Sequence, residues 1–225
     1  MKEIILMKEP QELKVLVVTA VSAERDAVQR GLADNPRFEV IAAGVGPVTS
    51  AIRTTKALAA ARYDLVVVAG IAGGFSGRAD VGSLVVASDI IAADLGAETP
   101  EGFSTLDELG FGSSRVPVDA SRAKRLADAF AAAGIPAQLG PVLTLSTVTG
   151  SAATAAALAE RVPGAAAEAM EGFGAASAAQ EYGLPVLELR AISNAVGPRD
   201  RSAWRIGDAL AALEAAGTVL QEVLK

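Results

Sequence analysis

Short apolar, β-branched runs recur along this chain, and most are followed by a stretch with helical spacing. Lys14-Val-Leu-Val-Val-Thr-Ala20, residues 38–43, Tyr63-Asp-Leu-Val-Val-Val-Ala69, residues 81–91, residues 142–149 and the run opening at Val186 all read as strands. Runs of this length without polar alternation fit strands covered on both faces. Helices are expected from Ala23 to Leu32 with Ser22 as N-cap, over 48–61 with Val48, Ile52, Thr55 and Ala59 on one face, and over 121–133. Others are expected from Gly150-Ser151 to Arg161, over 165–180, and from Ile206 to Leu224. Strand and helix in alternation imply a largely parallel sheet with helices on both sides. No repeat or linker divides the chain, so residues 1–225 are expected to form a single α/β domain, with 1–12 as a candidate N-terminal extension.

Two absences narrow the chemistry. With no Cys there is no disulfide, thiolate nucleophile or zinc-thiolate site, and with no His there is no Ser-His-Asp catalysis. Acid–base work would fall to carboxylates, Lys or Tyr, helped by amides, hydroxyls and Arg. A net charge of −6 argues against a nucleic-acid partner. No uncharged apolar run approaches the roughly 20 residues of a membrane helix, and the start is too charged for a secretory signal. A cytoplasmic location without membrane contact is expected.

Ligand sites in α/β sheets lie beyond the carboxyl ends of strands. The run from Val186 breaks there into Arg190, Ser193, Asn194, Arg199, Asp200 and Arg201. Glu24 falls in a first helical turn just past the first strand, where the macrodipole alone favours Glu. Glu171 lies among small and apolar residues, where a carboxylate is costly without a partner. Gly44-Val-Gly46-Pro47 lacks the full dinucleotide spacing, and Gly70 to Gly77 serves a close-approaching ligand or a plain turn equally well. Residues 94–118, with Phe103 and Phe111, read as an irregular lid or binding loop.

Thr19-Ala-Val-Ser-Ala-Glu24, Ala69-Gly-Ile-Ala-Gly-Gly74, Ala169-Met-Glu-Gly172 and Leu189-Arg-Ala-Ile-Ser-Asn194, in that order, resemble the purine nucleoside phosphorylase and nucleosidase superfamily, of the methylthioadenosine/adenosylhomocysteine nucleosidase type. The resemblance spans residues 14–222. It implies one α/β domain around a twisted mixed sheet, a homo-oligomer with a dimer favoured, a purine nucleoside substrate, and neither metal nor organic cofactor. It implies that Glu24 activates water and that Met170 and Glu171 pack the sugar and bind its hydroxyls. Ile71, Ala72 and Gly73 would border the ligand, Thr147 and Val148 would lie against the base, and Arg190 would hold Glu24 or Asn194 in place. Phe103 would help receive the C5′ substituent.

This sequence departs from the nucleosidase pattern twice. Ile71 stands where a Ser follows the Gly, and Asn194 replaces the Asp that protonates N7 of the purine. Asn gives up no proton at useful pH; it only donates a hydrogen bond. That suits a 6-oxopurine, whose leaving anion presents acceptors at N7 and O6, although Asn also pairs with adenine. The run Ser193 to Ile206, with Glu168-Ala-Met-Glu-Gly-Phe-Gly174, resembles the futalosine-cleaving branch of the superfamily, which releases hypoxanthine in a route to menaquinone. A 6-oxopurine phosphorylase and a methylthioadenosine-type nucleosidase stay open as alternatives, as does a non-catalytic nucleotide-binding module. Glu24 at the nucleophile position, without an anion-binding loop, favours water over phosphate.

Overall fold

The computed structural model describes residues 12–225; the candidate extension over 1–12 lies, except for its last residue, outside them. The chain opens with strand β1 (Val15–Thr19), helix α1 (Ser22–Leu32), β2 (Phe38–Ala42), α2 (Pro47–Ala60) and β3 (Leu65–Gly74). β4 (Leu84–Ala92), the hairpin β5 (Gly96–Thr99) and β6 (Gly102–Thr105), and β7 (Arg115–Pro117) follow. Then come α3 (Ala120–Ala132), β8 (Ala137–Thr144), α4 (Ala152–Arg161), β9 (Ala167–Ala169), α5 (Gly172–Glu181), β10 (Val186–Ala195) and α6 (Ile206–Val223).

β2, β1, β3 and β10 pair in parallel, as the alternation of strand and helix requires. β10 also pairs antiparallel with β4; β4 pairs with β8, β8 with β9, and β9 returns antiparallel to β3. The sheet is therefore mixed, and β3, β10, β4, β8 and β9 close on themselves. α1, α3 and α6 bury Val28, Leu126, Phe130, Leu213 and Leu220 against one face. Leu58 of α2 and Ala175, Ala176 and Ala179 of α5 cover the other. No helix among the described residues is long and apolar enough to cross a membrane.

Several elements differ from expectation for identifiable reasons. Ser22 is the first residue of α1, with Val21 as N-cap, because the side chain of Glu24 takes the capping role by accepting from the Val21 amide at 3.2 Å. α2 turns Ser50, Thr54 and Leu58 inward and leaves Val48 and Ile52 exposed, so the apolar stripe read from spacing is not the packed one. The Gly70–Gly74 run stays in β3 instead of turning, because it is paired along its length with β10 and at its end with β9. Residues 167–169 pair as a strand, which leaves Glu171 as the N-cap of α5 instead of a mid-helix residue. The 94–118 segment is ordered: a hairpin is followed by a turn in which Asp107 accepts from Ser113 and Ser114. The Ser114 and Ser113 hydrogen bonds hold the Asp107 carboxyl down, at about 2.

Candidate active site

β3 and β10 run on together past the carboxyl end of β1 to Gly74 and Ala195, and Glu24 of α1 and the start of α5 reach this stretch. Glu24, in the first turn of α1, is 3 % exposed. Its Oε2 accepts from the amides of Ala20 (2.9 Å) and Val21 (3.2 Å), and its Oε1 from the amide of Ile71 (2.8 Å). A carboxylate oxygen has about two acceptor positions. Oε2 is thus filled by backbone, and Oε1 keeps one lone pair.

Glu171 is held more loosely. Its Oε2 accepts from the Met170 amide at 3.3 Å and from Arg190 Nη1 at 3.4 Å, and its Oε1 from the Gly46 amide at 3.5 Å. α5 is seated at its start by Thr144, whose Oγ1 accepts from the Phe173 amide at 2.9 Å, so one of the helix's free amides is satisfied. Met170, half-buried, sits between β9 and this helix.

Arg190 connects the carboxylates. Its guanidinium is buried in β10, with Nε donating to Glu188 Oε1 at 2.8 Å. Burial opposes its charge, but Glu188, Glu171 and Glu24 outweigh that and hold its pKa above the ordinary value. Burial pushes the Glu188 carboxyl up; Arg190 only partly offsets this, and Glu171 adds to it. Gly70 leaves open the space between Arg190 and Glu24. A Cβ there would lie 2.7 Å from Arg190 Nη1 and 2.9 Å from Glu24 Oε1.

Asn194 ends the same strand past a register shift between Ile192 and Asn194. Ser193 Oγ lies 3.2 Å from the Ala72 carbonyl and 2.9 Å from Asn194 Oδ1, to which it donates. That marks Oδ1 as the accepting side of the amide and leaves Nδ2 as the donor, with one hydrogen on the Ala195 carbonyl at 2.9 Å. A Cβ at Gly73 would lie 3.3 Å from Nδ2, so Ile71, Ala72 and Gly73 form the floor between Glu24 and Asn194.

Thr147 and Val148 occupy the exposed apex of the loop between β8 and α4, beside a cavity of about 340 Å³ that Asp94, Thr149 and Arg161 also line. Carboxylates fasten both sides of the apex. Asp94 accepts from the Ser146 amide at 2.7 Å; Glu168 accepts from the Thr149 amide at 2.8 Å and from its hydroxyl. Burial raises the Glu168 pKa against the pull of these Thr149 hydrogen bonds. Phe103 stands apart from the carboxylates: its ring lies under Arg161, whose guanidinium is 3.7 Å from the ring centroid. No hydrogen bond or stacking contact among the described residues ties Phe103 to Glu24, Glu171 or Asn194.

Sequence reasoning did not single out Glu188, Asp94 or the clamping role of Glu168. Glu188-Leu-Arg190 did carry a signal: opposite charges two apart, on one face of an otherwise apolar strand, require each other.

A model of the phosphorylase superfamily matches residues 12–225. Futalosine hydrolase of Streptomyces coelicolor is 53 % identical, over 95 % of this chain and 97 % of that protein. The chain belongs to the phosphorylase superfamily and, within it, to the futalosine hydrolases. It is an enzyme of the nucleoside N-glycosidase class. The fold agrees. A native futalosine hydrolase structure from Helicobacter pylori superposes with a TM-score of 0.80 at 18 % identity, covering 93 % of this chain and 98 % of that one. A methylthioadenosine/adenosylhomocysteine nucleosidase from Colwellia psychrerythraea, solved in complex with adenine, superposes with a TM-score of 0.77 at 21 % identity, covering 95 % of each chain.

Proposed function

We propose that this enzyme hydrolyses the N-glycosidic bond of futalosine, releasing hypoxanthine and dehypoxanthine futalosine for menaquinone synthesis. The observation that carries this reading is that Glu24, Glu171 and Asn194 all border the paired stretch of β3 and β10 from Gly70 to Gly73, in a chain 53 % identical to a futalosine hydrolase.

As the C1′–N9 bond stretches, the ribose takes on oxocarbenium character, as in other glycoside hydrolyses. The free lone pair of Glu24 Oε1 receives the proton of the attacking water, while three backbone amides keep the carboxylate from rotating away. Glu171, with only long contacts of its own, takes the ribose hydroxyls and offers negative charge to the sugar, with Met170 packed beside it. Asn194 Nδ2 donates toward the N7–O6 edge of the departing 6-oxopurine, and Thr147 and Val148 lie along the base. A preorganised donor aimed at developing charge is worth about 3–4 kcal/mol. Water is favoured over phosphate because the Glu24 carboxylate at the nucleophile position repels an anion. The exposed Val45, Val48 and Ile52 around the start of α2 support self-association as a dimer. We place the reaction in the cytoplasm.

The test is chromatographic detection of free purine from futalosine and its 6-amino analogue, each with and without phosphate. Phosphate-independent hypoxanthine release with the amino analogue inert supports the reading. Strict phosphate dependence would make the chain a phosphorylase.

A further inference from the structure

Glu188 and Arg190 stand on the face of β10 that packs under α5, where their neighbours in the core are Val186, Ile192 and the alanines of α5. An apolar pair of similar volume there is often neutral or stabilising, so stability does not explain two buried charges. Nor are the charges fully satisfied. Glu188 Oε2 and Arg190 Nη2 are buried with no hydrogen-bond partner among the described residues. What the pair does achieve is geometric. The Nε contact to Glu188 Oε1 fixes the guanidinium plane, and that plane presents Nη1 to Glu171 and to the gap over Gly70 where Glu24 Oε1 lies. Glu188 also abuts the first residue of α5. A Cβ at Gly172 would collide with both of its carboxylate oxygens, so the turn that carries Glu171 rests on Glu188.

We propose that Glu188 is a positioning residue for the glycosidic cleavage, gripping Arg190 so that the guanidinium sets Glu171 against the amide-pinned Glu24. It touches no reacting atom and acts through Arg190 and through the seat of α5. The proposal rests on the nucleosidase reading above, and the charge of Glu188 is secondary to its length and its acceptor oxygen.

Three substitutions separate grip from charge. Glu188→Gln keeps the length and an acceptor for Nε while removing the charge. Glu188→Asp keeps the charge but withdraws the acceptor by one methylene. Glu188→Met keeps the volume with neither. Turnover and KM for purine release from futalosine are measured on the full chain, alongside thermal unfolding. Glu188→Gln should keep close to parental turnover. Glu188→Asp and Glu188→Met should lose turnover by on the order of 10–100-fold, the scale of a displaced reactive group, with a smaller rise in KM because Glu171 also holds the ribose hydroxyls. Either of the last two suffices if the other fails to fold. Parental turnover in folded Asp and Met variants overturns the proposal. So does an Asp variant faster than the Gln variant, which would make charge the operative property. A parent that releases no purine overturns the substrate reading, and the proposal with it, before any variant is compared.

Discussion

Gly70→Ala tests the central geometry most directly, because the collision it creates is defined on two sides. The added methyl would sit 2.7 Å from Arg190 Nη1, 2.9 Å from Glu24 Oε1 and 3.3 Å from Glu24 Cδ. Ordinary carbon–oxygen approach begins at about 3.3 Å, so the guanidinium must retreat by roughly 0.6 Å and the carboxylate by roughly 0.4 Å. Neither is free to do so. Arg190 is 1 % exposed and fixed through Nε, and Glu24 is pinned by three amides. Overpacking of this kind costs about 1–3 kcal/mol. In a chain of 225 residues that lowers the unfolding midpoint by about 2–12 °C. The catalytic penalty should be larger, since a displacement near 1 Å costs on the order of 100-fold in turnover. Turnover and KM for hypoxanthine release, with calorimetry, read both effects. Gly207→Ala is the control: Gly207 lies in the first turn of α6, and a Cβ there meets nothing within 4 Å. That change should leave turnover alone and raise stability by up to about 1 kcal/mol. A Gly70→Ala protein with parental kcat would refute the claim that the space between Glu24 and Arg190 must stay open.

Glu24→Gln should retain substrate binding in calorimetric titration and lose about 100–10,000-fold in turnover, the range of a removed general base; normal turnover would end its assignment as water activator. Asn194→Asp should shift the ratio of kcat/KM values toward the 6-amino analogue by about 100-fold, by analogy with removing one donor from a developing anion; an unchanged ratio would show that another group selects the purine. Glu168→Gln tests the loop clamp through pH. The folded Glu168 pKa is raised, chiefly by burial, so its contribution to stability is complete below the unfolded carboxyl value of about 4.3 and is lost as pH rises through the folded value. The Gln variant should therefore gain thermal stability relative to the parent between pH 4 and pH 8, and a pH-independent difference would contradict the assignment of a buried, penalised carboxylate.

The α/β class and most strands were legible because a buried parallel strand needs an uninterrupted apolar run, which few other structures produce. Closure of β3, β10, β4, β8 and β9 was not legible. β9 is only Ala167–Ala169, too short for periodicity, and its pairing is decided by distant partners. The same limit governed the site. Glu171 stood out as a carboxylate in apolar company and Glu24 by its place in a first helical turn past a strand, whereas the position of Arg190 between them is visible only once β3 and β10 are paired with Arg190 opposite Gly70. That register explains the glycine run as well. Gly70 is read from sequence as a turn or a ligand cradle, yet it serves as the opening in a continuous strand through which a guanidinium and a carboxylate approach each other. A charged residue inside a strand that otherwise reads as core thus asks for its counter-charge on the same face before any surface is considered. Here that search leads from Arg190 two residues back to Glu188, and from there to the seat of the helix that carries Glu171.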